Sequence, residues 1–320
     1  MLANNQSGDG TDIDPDIREF IRITSQDYNR FAGDDPASIP QRRLTAEKVR
    51  EPWVQGGPAM HSTQDVVPET LGVRIRIHKN GAERAKGTLL YIHGGGWVIF
   101  SMDTHDRLMR EYAARSGLDV VGIDYSLSPE NRYPTALNEI SATIDWLKTY
   151  GEQYGLNVDR LAIGGDSVGA NMSLAICIAM RDRGTPLDAM ILSYGAYDTA
   201  HRPSYDRFDG ANYMLTSQEM VGFWQDYLGN QPIETAPLAR PIHADLAGLP
   251  PAFLCIAPCD VLADENYALA DKLKAAGVDT TSVVYAGATH SFLEAVSISG
   301  LADQALSDAS DWLKRLFNQA

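Results

Sequence analysis

Basic residues are the minority charge in this 320-residue chain: 27 lysines and arginines stand against 42 acids, for a formal net charge of −15. A surface of that sign repels phosphate backbones and anionic headgroups, which argues against nucleic acid or an anionic membrane surface as a partner. No apolar run approaches the roughly 20 residues needed to span a bilayer. Met1 to Asp16 is polar and acidic, without the basic start and apolar centre of a signal peptide, so a cytoplasmic protein is expected. Cysteine is scarce: Cys177, Cys255 and Cys259 are an odd set, which speaks against a disulfide framework. A C-x-x-x-C pair with no partner pair is poor evidence for zinc, so buried thiols are the expectation. Internal repeats and low-complexity segments are also missing.

What is present is the composition of a soluble globular protein, 44% apolar and 22% charged. Asp14-Pro15 followed by Ile17, Phe20, Ile21 and Ile23 reads as an amphipathic helix with proline near its start. A second helical piece runs to about Arg50, and residues 1–60 carry no strand signal. Leu71 to His78 alternates, with Val73, Ile75 and Ile77 on one face and Arg74, Arg76 and His78 on the other. That pattern predicts a half-exposed strand, antiparallel and near an edge. Short apolar strands then alternate with helices: strands at 88–93, 119–125, 160–166, 189–195, 252–258 and 281–286, helices at 104–116, 135–150, 170–183, 264–276 and up to about Phe317. This is an α/β pattern, a mostly parallel sheet covered on both faces. Residues 197–249 form a long excursion without strand character. They and the first 60 residues are the two places where extra structure can sit above the carboxyl edge of the sheet, where ligands bind in open α/β folds.

The sharpest motif is Gly165-Asp166-Ser167-Val168-Gly169, with an apolar strand before it and a helix after it. That is G-x-S-x-G in the strand–turn–helix context that exposes a serine above a sheet and sets the next amide beneath a forming oxyanion. An incidental serine in a strand–helix turn remains the alternative on the pentapeptide alone. A nucleophilic serine needs a base to take its proton and an acid to orient the base. His290 is the histidine that falls just past a predicted strand, in Gly287-Ala288-Thr289-His290. His201 and His243 lie in the excursion and read as capping or solvated groups. Asp260 follows the strand ending near Pro258 and is the favoured acid; Asp198 is its rival, with a turn or N-cap role. A second oxyanion donor is expected from His93-Gly94-Gly95-Gly96-Trp97, whose glycines leave the backbone amides unshielded. No dinucleotide or Walker pattern competes for that loop.

Taken together, His93 to Trp97, Gly165 to Gly169, Asp260 and His290 resemble the hormone-sensitive-lipase-like (GDXG, bacterial family IV) esterases, and among them the bacterial acetyl esterases. The resemblance includes Asp103 to Arg107, Gly122 to Glu130, Arg132 to Pro134 and Pro258 to Leu262, and spans roughly residues 70 to 317. It implies an α/β-hydrolase core at 61–320 with a helical cap, built from the N-terminal segment 1–60 and the insertion at about 197–249. It also implies Ser167 as nucleophile, His290 as general base and acid, Asp260 as its orienting acid, and an oxyanion hole from the amides of Gly95, Gly96 and Val168. His93 would hold the glycine loop, while Asp106, Asp124 and Glu130 would support the scaffold. Two departures stand out: Val168 replaces the commoner alanine and Ala170 the second glycine of G-D-S-A-G-G. No metal or organic cofactor is implied. The expected reaction is hydrolysis of short-chain acyl esters, acetyl to about octanoyl. An amidase or deacetylase on the same residues is the alternative, and a non-catalytic small-molecule-binding protein is a third. Trp97 and Val98 are expected to line the pocket; Phe20, Tyr28 and Tyr213 either close it from above or form the core of the cap. A homodimer is compatible with the chain, whose sequence does not set its oligomeric state.

Overall fold

In the computed structural model, which describes residue 10 and residues 12–318, the chain order is α1 (Pro15–Phe31), α2 (Ile39–Arg50), β1 (Ser62–Val66), β2 (Ile75–Lys79), β3 (Thr88–Ile92), α3 (Asp106–Ser116), β4 (Asp119–Ile123), α4 (Thr135–Tyr150), β5 (Leu161–Asp166), α5 (Val168–Asp182), β6 (Ala189–Ser193), α6 (Pro203–Arg207), α7 (Ser217–Leu228), β7 (Ala252–Ile256), α8 (Ala263–Ala275), β8 (Thr280–Val284) and α9 (Gly300–Asn318). One eight-stranded sheet runs in the order β1-β2-β4-β3-β5-β6-β7-β8. From β4 to β8 every pairing is parallel, and β2 joins β4 and β1 antiparallel.

Strands β3 to β7 are buried along their whole length, as their near-continuous apolar runs require when helices cover both faces. Alternation along β3 divides the core. Leu90 and Ile92 join Val121, Ile163, α4 and α5 on one face; Leu89 and Tyr91 join Val120, α3 and α9 on the other.

The strand predicted over 71–78 is antiparallel and near the edge as expected, second in the sheet, but it is narrower and shifted, Ile75 to Lys79. The edge itself is β1, whose Ser-Thr-Gln-Asp-Val sequence is polar and exposed and so carries no apolar period to read. His78, placed on the outer face with Arg74 and Arg76, is fully buried, its Nδ1 2.9 Å from Thr63 Oγ1 and its Nε2 3.2 Å from Asp106. The arginines do stay partly exposed, donating to Asp65, Asp103, Asp106 and Asp124.

Helix α1 begins as the sequence indicates: Asp14 caps it by accepting the amides of Asp16 and Ile17, and Pro15 occupies the first turn. Its buried face, Ile17, Phe20 and Ile21, packs with Trp53, Phe208 and Tyr213, so the N-terminal helices and the 197–249 excursion share one apolar cluster. Helix α7 turns Phe223, Trp224 and Tyr227 inward, and the Tyr227 ring stacks on Trp97 at 4.1 Å and 3°. Such a pair contributes about 0.5–1.5 kcal/mol beyond its area burial, and it anchors the excursion to the residue following the glycine loop. Among the described residues, no helix is long and apolar enough to cross a membrane.

Candidate active site

The parallel register brings four loops to one edge. Ile92 at the end of β3 pairs with Gly165 in β5, so the chain leaves β3 into His93-Gly94-Gly95-Gly96 beside the turn that carries Ser167. That turn is tight: Ser167 has φ 53 and ψ −121, a conformation L residues rarely hold, set between the last residue of β5 and the first of α5. A Cβ on Gly169 would meet the carbonyl oxygen of Ile92, which explains the glycine at that close helix–strand approach. Two strands further on, the loops after β7 and β8 are tied by a parallel bridge between Cys259 and Thr289 and by the Cys259 amide donating to the Ala288 carbonyl at 3.0 Å. The next residues are Asp260 and His290.

These three side chains meet in a line. His290 Nε2 lies 2.9 Å from Ser167 Oγ, and Nδ1 lies 2.7 Å from Asp260 Oδ2. Asp260 Oδ1 also accepts the Leu262 amide at 3.0 Å, so one carboxylate is fixed at both oxygens. With Nδ1–H donated to Asp260, the lone pair on Nε2 faces the serine hydroxyl, the tautomer a base requires.

Across from the serine, Gly95 has φ 112 and Gly96 φ 60. A Cβ on Gly95 would collide with the carbonyl of Ile99, so only glycine fits there. The Gly94 amide donates to Asp166, whereas those of Gly95, Gly96 and Val168 have no acceptor among the described residues. His93 holds the loop through Nδ1, 2.7 Å from the Gly94 carbonyl, and stacks on Tyr125 at 4.3 Å. Burial, and then the neighbouring His105, lower its pKa to about 4, so the ring is neutral at physiological pH.

Beneath the loop lies a charged network that the sequence reading missed. His105 Nε2 is 3.5 Å from Asp166 and 3.1 Å from Glu294, and Glu294 in turn is 3.6 Å from the Arg50 guanidinium. His105, Asp166 and Glu294 gather three potential metal-binding atoms within 4.8 Å. Asp166 Oδ1, however, already accepts from Tyr91 and Gly94, and Arg50 supplies a cation beside Glu294. His105 stood in view within the Asp103–Arg107 stretch, but nothing in the sequence distinguishes Arg50, at the end of a polar helix, from a surface residue.

A cavity of about 370 Å³ opens above Ser167 and His290. Gly95, Gly96 and Phe100 line it from the glycine loop, Tyr28 from α1, and Met220 and Phe223 from α7. Tyr28 therefore faces it as the closing reading has it. Trp97 and Val98 do not: both are buried in the core, Trp97 under Tyr227, because the turn after Gly96 directs them away from the cavity. Phe20 and Tyr213 are core residues of the N-terminal helices and the excursion. Asp198 is bound to Arg202 and His243, away from His290, which removes it as the rival acid. His201 pairs with Asp206 on the surface. Asp106, Asp124 and Glu130 bind arginines 76, 74 and 43 respectively, and none of the three lines the cavity.

Comparison with known proteins bears on the family and the class of reaction. Residues 89–294 match the family described as alpha/beta hydrolase fold. An acetyl esterase of Salmonella paratyphi B is 35% identical over 263 residues, covering 81% of each chain. A hyperthermophilic esterase from the archaeon Pyrobaculum calidifontis superposes with a TM-score of 0.88 at 29% identity, covering 95% of this chain and 98% of that one. A thermostable esterase from Pseudomonas putida does so with a TM-score of 0.85 at 30% identity, covering 97% and 99%. The chain belongs to the hormone-sensitive-lipase-like group of the alpha/beta hydrolase fold family and is a carboxylic ester hydrolase.

Proposed function

We propose that the protein is a serine carboxylesterase for short-chain acyl esters, acetyl to about octanoyl, acting through Ser167, His290 and Asp260. The observation that carries this reading is the unbroken line from Ser167 Oγ through His290 to Asp260, with distances of 2.9 and 2.7 Å. Ser167 Oγ attacks the ester carbonyl while His290 Nε2 takes its proton, and Asp260 stabilises the resulting imidazolium. The oxyanion is received by the amides of Gly95, Gly96 and Val168, which makes the tetrahedral state lower in energy than the planar ester alone would allow. The C–O bond to the alcohol breaks as His290 returns its proton to that oxygen. Water then attacks the acyl-serine by the same base and hole, which releases the acid and restores Ser167. A cavity of about 370 Å³ suits a short acyl chain and a small alcohol.

In this reading residues 1–60 and about 197–249 form a cap over a core that otherwise occupies 61–320. The Ile17–Phe20 cluster with Phe208 and Tyr213 supports the pairing of the two cap segments; residues 1–9 and 11 lie outside the described residues. Three free, buried cysteines are in keeping with a reducing cytoplasm. Hydrolysis of 4-nitrophenyl esters from acetate to palmitate, with Ser167→Ala as the control, tests the proposal. The expected result is a maximum at short chains and a loss on the order of 10⁴–10⁶ in the variant. Equal rates in both proteins would overturn it.

A further inference from the structure

The cavity above Ser167 has an apolar and a polar share. Ile99, Met214, Leu215, Met220 and Phe223 make the apolar share, from the glycine-loop segment and the excursion. The excursion also brings Thr216 and the exposed Glu219, whose Oε2 accepts the Thr216 amide and hydroxyl. The N-terminal helices contribute Ser25, Tyr28 and Asn29 from α1, and the cation Arg50 from α2. A short-chain ester uses the first share and has no use for the second.

Arg50 is the unexplained member. It is 1% exposed, and its guanidinium lies 4.7 Å from the Phe100 ring centroid and 5.6 Å from that of Phe20. Its Nε and NH1 make no hydrogen bond among the described residues, although both are buried. The nearest carboxylate, Glu294, is 3.6 Å from NH1, beyond the range of a charge-assisted hydrogen bond. Burial raises the Glu294 carboxyl above its ordinary range, against the neighbouring charges of Arg50 and His105, and Glu294 is shared between those two partners. Arg43, by contrast, donates to two carbonyls and to Glu130, and Arg110 to three carbonyls and Asp106; Arg202 Nε is also buried without a partner among the described residues, but its NH2 donates to Asp198 at 3.0 Å. A buried cation with unmade donors on a cavity wall is complementary to an oxyanion, and the planar fork of arginine fits a carboxylate best.

We propose that Arg50 receives a carboxylate carried by the ester itself. The substrate class is then an ester with one short apolar half and one half ending in a carboxylate, such as a half-ester of a dicarboxylic acid or an O-acyl hydroxy acid. The inference rests on the esterase reading of Ser167. The overall negative charge of the protein opposes an anion at long range, but at physiological salt that field is screened within about 8 Å, and contact with Arg50 governs inside the cavity.

Two matched series test it. One compares mono-4-nitrophenyl esters of succinic, glutaric and adipic acids with neutral alkanoates of equal length. The other compares acetoxyacetate with acetoxyacetamide, and Ser167→Ala supplies the uncatalysed background in both. The readout is the ratio of kcat/KM for the charged and neutral members, since misfolding lowers both alike. The wild-type protein is expected to favour the charged member in at least one series. Arg50→Met is expected to lower that ratio roughly tenfold or more, and Arg50→Lys, which keeps the charge without the fork, to lower it less. Should Arg50→Met not fold, the wild-type ratio and its change in Arg50→Lys decide. Neutral members preferred in both series, or ratios unchanged by the substitutions, overturn the carboxylate site and leave the esterase standing. No hydrolysis of any ester by the wild-type protein overturns the esterase reading instead.

Discussion

The carboxylate of Asp166 accepts the amide of Gly94 at 3.1 Å, so the residue preceding the serine holds the first glycine of the loop opposite. The same oxygen accepts the Tyr91 hydroxyl at 2.8 Å, and the other faces His105 at 3.5 Å. Burial opposes ionisation of Asp166, but the charge and hydrogen bond of His105, together with the Tyr91 hydroxyl, hold its carboxyl below the usual range. The position of the glycine loop relative to Ser167 therefore depends on a buried anion.

Asp166→Asn keeps the shape and removes that charge. A carboxamide has one acceptor oxygen for what two carboxylate oxygens now serve, so residue 166 either gives up the Gly94 amide and Tyr91 hydroxyl or turns its NH2 toward His105, and in both cases the charge that fixes the side chain under the loop is gone. Displacing an oxyanion loop by a fraction of an ångström acts on the transition state more than on the bound ester. We expect kcat to fall on the order of 10–100-fold, with KM changed less than about threefold. Steady-state kinetics on a short 4-nitrophenyl ester checks this. A rise in KM at unchanged kcat would place the role of Asp166 in binding.

Glu265 offers a pH signature separate from catalysis. Its Oε2 accepts the amides of Tyr197 and Asp198 at 2.8 and 2.7 Å, and Oε1 has no partner among the described residues. Burial raises its pKa well above the ordinary 4.5, against the two amides that lower it. The folded protein thus keeps a proton that the unfolded chain has released. Between pH 4.5 and the raised value, stability falls as pH rises. Glu265→Gln does not titrate and can accept both amides. The melting temperature of the variant minus that of the wild type should therefore grow from pH 4.5 to about 8. A constant difference over that range would show that the carboxyl ionises freely in the fold.

The parallel half of the molecule was legible because burial on both faces forces continuous apolar runs, and those runs place their own carboxyl ends. Ser167, Asp260 and His290, the proposed catalytic residues, each stand just past such a run, and the fold brings their side chains together. β1 was not legible: Ser62 to Val66 is held by its register with β2, not by any apolar period of its own. Trp97 misled for a different reason. A large aromatic after a glycine loop reads as pocket lining, but its stacking on Tyr227 is a contact 130 residues away in sequence. Arg50 and Glu294 escaped for the same reason, since a buried ion pair between separate segments leaves no local pattern.

The three thiols should be inert in the folded protein. Cys177 and Cys255 are fully buried, and burial pushes both pKa values up; Cys259 is pushed up to about 12, mainly by burial. The thiolate is the reactive form, so both access and ionisation oppose alkylation. Iodoacetamide at about pH 8 should add nothing to the native protein and three groups to the protein in guanidinium, read by intact mass. Native labelling of Cys259 would mean that the loop carrying Asp260 opens on the timescale of the reaction.

Gly95 provides the most direct test of the glycine loop. Its φ of 112 lies outside what an alanine adopts readily, and the added Cβ would run into the carbonyl of Ile99 and the Phe100 ring. The Ile99 carbonyl is backbone and cannot rotate away, so Gly95→Ala must shift the loop and with it the free amides of Gly95 and Gly96. The line from Ser167 through His290 to Asp260 stands on β5, β7 and β8 and is untouched. Loss of one oxyanion donor costs on the order of 10²–10³ in kcat, and that is the expected range for this variant. The serine keeps its base, so stoichiometric labelling by a phosphonofluoridate should persist, slowed by a similar factor because that reaction also develops an oxyanion. A Gly95→Ala variant with wild-type kcat would mean that the ester carbonyl is polarised by some group other than this loop.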